Sequence, residues 1–68
     1  MLQPGAKITV FDDQRVELGE GTFLRKTIVQ DLKLTAYECR EHTILAKGDH
    51  YLKVGGTISR VSNEFNET

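Results

Sequence analysis

The sequence predicts a small all-β domain, folded as a strongly bent antiparallel barrel of five to six strands. Short segments rich in β-branched and aromatic residues alternate between polar and apolar, and turn residues separate them at roughly 8–12-residue intervals. The chain has only 68 residues, which leaves little room for a second sheet. Closing one sheet into a barrel removes its exposed edges, so a barrel is the favoured architecture.

The first two elements are predicted to form a hairpin. Pro4 and Gly5 predict a tight turn, because proline presets φ and glycine permits the bend. Residues 7–11 alternate between polar and apolar, which is typical of a half-buried strand. Three polar residues at 12–14 predict a turn, and residues 15–18 alternate again as the return strand.

Residues 22–30 form the longest segment that reads as one element, and we predict that it is the central strand. The glycine pair at 19 and 21 precedes it and predicts a break, a bulge or a sharp bend. Its apolar residues fall on both faces, which predicts either a strand covered on both sides or a central bulge. A chain this small has little protein to cover two faces, so we expect another chain to complete one of them.

Residues 31–42 allow two interpretations. The apolar residues Leu32, Leu34 and Ala36 alternate with their neighbours, which favours a strand. Thr35 and Glu38 have the spacing of a helix capping box, which predicts a short helix over residues 36–41 as the alternative. The strand is preferred, because so short a helix would have almost no apolar stripe.

The last third of the chain predicts three strands and a tail. The strands are residues 43–47, 51–54 and 57–61, with a turn at 48–50 and a two-glycine hairpin loop at 55–56. We therefore expect one β-barrel domain over residues 1–61. Residues 62–68 are polar and are expected to form a flexible C-terminal tail.

One local pattern resembles a known fold family. Residues 4–11 read Pro-Gly-x-Lys-Ile-x-Val-Phe and residues 19–23 read Gly-x-Gly-Thr-Phe, similar to the start of many SH3-type barrels. The resemblance consists of glycines and alternation. It implies an SH3-like barrel, and an OB-like barrel is the other small closed architecture expected at this strand count.

Composition limits the function. A 68-residue chain buries only about 60% of its unfolded surface, and its single cysteine, Cys39, cannot form an internal disulfide. Self-association is a common remedy for so small a core. The absence of a long apolar run or signal-type start predicts no membrane contact, and the unpaired cysteine favours the cytoplasm, or a virion if the chain is phage-encoded. Accessory proteins of phages and mobile elements are often this short.

Charge and aromatic content predict a second function. Residues 22–61 carry seven Lys and Arg against four Asp and Glu, although the whole chain has a net charge of −1. Cations near planar side chains are what a nucleic-acid-binding barrel needs. Nucleic-acid binding through the basic segment 25–60 is therefore the alternative function.

Potential chemistry is confined to one cluster. Cys39 and His42 have a chelating spacing, and a hairpin returning at Gly48 could bring His50 near His42, so a Cys/His metal site is a remote alternative. The same residues could form a nucleophile pair, but so small a barrel has no room for a buried cleft. Asp12 and Asp13 are explained by turn chemistry. We expect no catalytic residue, no bound metal, no cofactor and no small-molecule substrate.

The sequence therefore predicts a non-enzymatic binding or assembly module. Its partner is expected to be a second copy of itself or a larger protein. The candidate partner-binding residues are charged, aromatic or imidazole groups in the middle of the chain: Arg25, Lys26, Tyr37, Arg40, His42, His50 and Tyr51.

Overall fold

The computed structural model describes residues 2–62 and folds them into one antiparallel sheet. The strands are β1 (Lys7–Phe11), β2 (Glu17–Val29), β3 (Leu34–Cys39), β4 (Thr43–Lys47), β5 (His50–Val54) and β6 (Thr57–Val61), with a single 3-10 turn at Gln30–Leu32. The spatial order is β4-β3-β2-β1-β5-β6. The predicted all-β antiparallel architecture is confirmed, and the predicted central strand lies inside the sheet as part of β2.

The sheet bends strongly but does not close. Strand β4 packs against β2 and β1 across the inside of the bend, yet within residues 2–62 no strand pairs with the outer edge of β4 or of β6. The expectation of a closed barrel, SH3-like or OB-like, is corrected in this respect. Because the sheet is open at both ends, the outer edges of β4 and β6 stay unpaired within the described residues.

The predicted hairpin return and the central strand are one continuous strand. Strand β2 is 13 residues long, and its first half pairs with β1 while its second half pairs with β3. Gly19 and Gly21 lie inside it and do not end it. A methyl group on Gly21 would lie 2.9 Å from Cys39 Cβ, and one on Gly19 would lie 3.1 Å from Ile44 Cγ1. These glycines let the two halves of the bent sheet approach closely.

Two bulges interrupt the pairing of β2. Leu18 is the extra residue opposite β1, because Val10 pairs with Gly19 and Phe11 with Glu17. Leu24 is the extra residue opposite β3. The predicted bulge within residues 22–30 is therefore present, and it explains how apolar residues reach both faces of one strand.

The core lies on the concave, inner face of the sheet. Its buried hydrophobic residues are Ile8, Val10, Phe23, Tyr37, Cys39, Ile44 and Ala46. A buried polar pair joins them: the Tyr37 hydroxyl lies 2.5 Å from His50 Nε2, and His50 Nδ1 donates to the Gly48 carbonyl at 2.9 Å. Because Nδ1 donates, a neutral His50 accepts the Tyr37 hydroxyl hydrogen through Nε2.

The short helix considered for residues 36–41 is absent. Residues 36–39 belong to β3 and residues 40–41 form the bend that follows. Glu38 accepts hydrogen bonds from Arg25 and Thr27 across the strands instead of capping a helix. Cross-strand pairing therefore overrides the local capping pattern. Of the predicted tail, only Ser62 lies within the described residues.

Candidate interaction surface

The outer face of β2, β3 and β4 carries an apolar surface. Residues directly opposite each other in antiparallel strands point to the same face. One row joins Thr27, Ala36 and Leu45, and the next joins Val29, Leu34 and Lys47. We call Val29, Leu34, Ala36 and Leu45 the outer apolar face.

In β3 and β4 the outward-pointing residues alternate with buried ones. In β4, Ile44 and Ala46 are buried, and Leu45 between them is 53% exposed. In β3, Tyr37 is buried, while Leu34 and Ala36 are only half-buried. About half of Leu45 stays exposed within residues 2–62, so the face offers apolar surface to solvent or to another molecule.

Charged groups border the outer apolar face. Arg25 Nε donates to Glu38 Oε1 at 2.9 Å, and the Thr27 hydroxyl donates to Glu38 Oε2 at 3.0 Å. The hydrogen bond from Arg25, followed by that from Thr27, lowers the pKa of Glu38. Lys47 lies at the opposite border. An apolar centre with a polar rim is the usual anatomy of a protein–protein interface.

A cleft of about 460 Å³ lies on another part of the molecule, between the bend after β3 and the β5–β6 loop. Its charged side chains include Lys7 and Lys53 as well as Glu20 and Glu41. Both Glu41 oxygens accept hydrogen bonds from Thr22, one from its backbone N–H and one from its hydroxyl, each at 2.9 Å. These bonds lower the pKa of Glu41, so this carboxylate serves the fold.

The outer face of β1 and β5 carries an aromatic group under an arginine. The Arg15 guanidinium lies 4.5 Å from the centre of the Tyr51 ring. Arg60 is opposite Tyr51 in β6 and forms an ion pair of 2.9 Å with Asp49. Tyr51 therefore has an arginine already stacked on its ring.

The structure does not gather the Cys/His residues into a metal site. Cys39 is buried, and its thiol contacts the Tyr37 carbonyl oxygen at 3.7 Å. His42 is exposed and donates from Nε2 to the Glu20 carbonyl at 2.8 Å, whereas His50 is paired with Tyr37 in the core. Between residues 2 and 62, no group of three His, Cys, Asp or Glu side chains could hold a metal ion. Burial raises the pKa of the Cys39 thiol, which disfavours the nucleophilic thiolate.

The predicted partner-binding residues are scattered over the molecule. Arg25 lies beside the outer apolar face, and the register places its neighbour Lys26 on the opposite face, with Tyr37. Arg40 and His42 lie in the exposed bend after β3, and Tyr51 lies on β5. The side chains of Tyr37 and His50 are buried in the core, where they contact each other.

Sequence reasoning did not identify the outer apolar face. The alternation of Leu34 and Ala36 with Thr35 and Tyr37 was visible, but it does not say which set faces inward. The useful signal was Ile44-Leu45-Ala46, three consecutive apolar residues in one short strand. Such a run places an apolar side chain on each face of the strand.

No protein-family model matches this chain, and searches of curated proteins and of solved structures found no match either. None of the helical residues in the described part forms a segment long and apolar enough to span a membrane.

Proposed function

We propose that this chain is a non-enzymatic assembly module that associates with further copies of itself through the outer apolar face. The observation that carries the proposal is the exposure of Leu45, next to half-buried Leu34 and Ala36, on a strand whose edge is unpaired within residues 2–62. Association would remove this apolar surface from water, which is the main favourable contribution in most protein–protein association.

The size of the protein supports the same function. The buried hydrophobic core contains only seven residues of the described chain, and Ala46 and Cys39 are small. A domain with so little core gains stability when an interface extends its buried area.

The nucleic-acid alternative has weaker support from the geometry. Arg25 and Arg60, two of the cations that predicted it, form ion pairs with Glu38 and Asp49. The Tyr51 ring, the candidate stacking platform, already carries Arg15 at 4.5 Å. Phosphate contacts would have to compete with these pairs, so the assembly function is the better supported.

The test is the mass of the protein in solution over a range of concentrations, measured by size-exclusion chromatography with light scattering. We expect the mass to rise above the 7.7 kDa of one chain as concentration increases. Leu45→Lys should keep the mass at that of one chain, because it places a charge at the most exposed residue of the outer apolar face.

Ile58→Lys is the matched control. Ile58 is exposed to a similar extent, 46% against 53% for Leu45, and lies on β6 at the other end of the sheet. The control should associate like the wild type. A wild-type mass that stays at one chain at every concentration would refute the proposal.

A further inference from the structure

We infer that two copies join by pairing β4 with β4, antiparallel, about a two-fold axis at Leu45. The inference rests on the proposed function and specifies its interface. The two open edges of the sheet, those of β4 and β6, are unequally protected against pairing. Strand β6 has Arg60 and Ser59 in its interior, whereas β4 has only Ile44, Leu45 and Ala46 between its end residues. Charges on an edge strand discourage pairing with another chain, and the interior of β4 has none.

The sequence of β4 is complementary to itself in this arrangement. With Leu45 opposite Leu45, Ile44 faces Ala46 and Thr43 faces Lys47 of the second copy. Every apolar residue then meets an apolar residue. No like charges face each other across the strands, and such opposed charges would be destabilising. Closed two-fold dimers are also the commonest symmetric assembly.

In the paired sheet, the inner face of one copy continues as the inner face of the other, and the outer faces continue in the same way. On the inner side, the buried residues Ile44 and Ala46 continue the core toward the same residues of the second copy. On the outer side, Leu45 of each copy would bring the two outer apolar faces together. Because Ile44 and Ala46 are already buried within one copy, the apolar surface that this pairing would newly shield lies on the outer side, at Leu45.

Pairing β4 with β6 of another copy is less favourable. The outer residues Leu45 and Ile58 can be matched antiparallel, but Ile44 then faces Ser59 and Ala46 faces Thr57. This places hydroxyl groups beside the apolar inner residues. A head-to-tail contact of this kind also produces a ring or an open filament in place of a dimer.

Cysteine cross-linking in a Cys39→Ser background tests the register. Residues directly opposite in antiparallel strands have Cα atoms roughly 4.5–5.5 Å apart, within the range that a disulfide bridges. Under mild oxidation, in which an added disulfide such as oxidised glutathione accepts the two electrons and two protons lost by the paired thiols, Leu45→Cys should become a covalent dimer. Its mass should be about twice the 7.7 kDa of one chain.

Two further variants make the test specific for antiparallel pairing. Thr43→Cys alone should not cross-link, because the two copies of residue 43 would be four residues apart, about 13 Å along the strand. A mixture of Thr43→Cys and Lys47→Cys should cross-link, because these residues face each other. Ile58→Cys, the matched control on β6, should remain monomeric on a denaturing gel without reductant.

The outcomes separate this inference from the proposed function. Association by light scattering without a Leu45→Cys cross-link, or with a cross-link between Leu45→Cys and Ile58→Cys, would overturn the β4 pairing and leave self-association standing. Cross-linking of Thr43→Cys to itself would indicate parallel pairing and overturn the inference. A wild-type protein that stays monomeric would overturn both. Near-ultraviolet circular dichroism establishes that each variant is folded, and substitution of the exposed Leu45 should leave the spectrum unchanged.

Discussion

Replacing Gly19 by alanine tests whether close approach across the bend explains the glycines in β2. The added methyl would lie 3.1 Å from Ile44 Cγ1, 3.4 Å from Cγ2 and 3.5 Å from Cδ1. Overpacking a core destabilises the folded protein by about 1–3 kcal/mol. Replacing glycine by alanine also reduces the conformational freedom of the unfolded chain, which stabilises the protein by about 0.4–1 kcal/mol. Because the tightest contact requires a shift of only a few tenths of an ångström, we expect a net destabilisation of about 1 kcal/mol.

The sign of the effect should reverse when Ile44 is truncated. Ile44→Ala by itself should cost about 2–5 kcal/mol, because it leaves a cavity under β4. It also removes the three atoms nearest to the new methyl. In that background Gly19→Ala should stabilise the protein by about 0.5 kcal/mol, since only the unfolded-state effect remains.

The assay is urea unfolding followed by far-ultraviolet circular dichroism for the two single variants and the double variant. All three are made in the Leu45→Lys background, which keeps self-association out of the measured free energies. Gly21→Ala combined with Cys39→Ala is the contrasting double variant. The Cβ of residue 39, 2.9 Å from the new methyl, remains after Cys39→Ala, so this truncation should remove only part of the cost of Gly21→Ala. An equal cost of Gly19→Ala in both Ile44 backgrounds would refute the close-approach explanation.

Two further predictions concern side chains that hold the fold. Hydrogen bonds from Thr22 lower the pKa of Glu41 in the folded protein, so the unfolded state binds more protons as the pH falls. The stability that these bonds contribute is therefore present above about pH 4.5 and is lost as pH falls through the lowered pKa. Glu41→Gln should flatten the acid side of a profile of melting temperature against pH, and Glu17→Gln is the control. Tyr37→Phe removes the hydroxyl that pairs with His50 Nε2 and leaves a buried acceptor unsatisfied. The free energy of unfolding, measured in urea, should fall by about 1–3 kcal/mol. An unchanged free energy of unfolding would contradict this.

Local patterns predicted the elements better than their arrangement. Strand β1 occupies the predicted residues 7–11, and the glycines at 55–56 connect β5 and β6, because alternation and turn chemistry are properties of adjacent residues. The role of Gly19 was missed, since the contact that excludes a side chain comes from Ile44, far along the chain. Whether the sheet closes also depends on long-range geometry, which residue spacing does not encode.

The orientation of β3 links these observations to the proposed assembly. A shift of one residue in a strand exchanges its two faces. In β3 such an exchange would bury Leu34 and Ala36 but expose Tyr37, whose hydroxyl pairs with His50 and whose ring packs 6.5 Å from that of Phe23. The register therefore favours the aromatic and polar contacts of the inner face and leaves aliphatic groups outside. A second copy that covers Leu45 would bury part of that excluded surface, so the register that satisfies Tyr37 and His50 is also the one that provides the proposed interface.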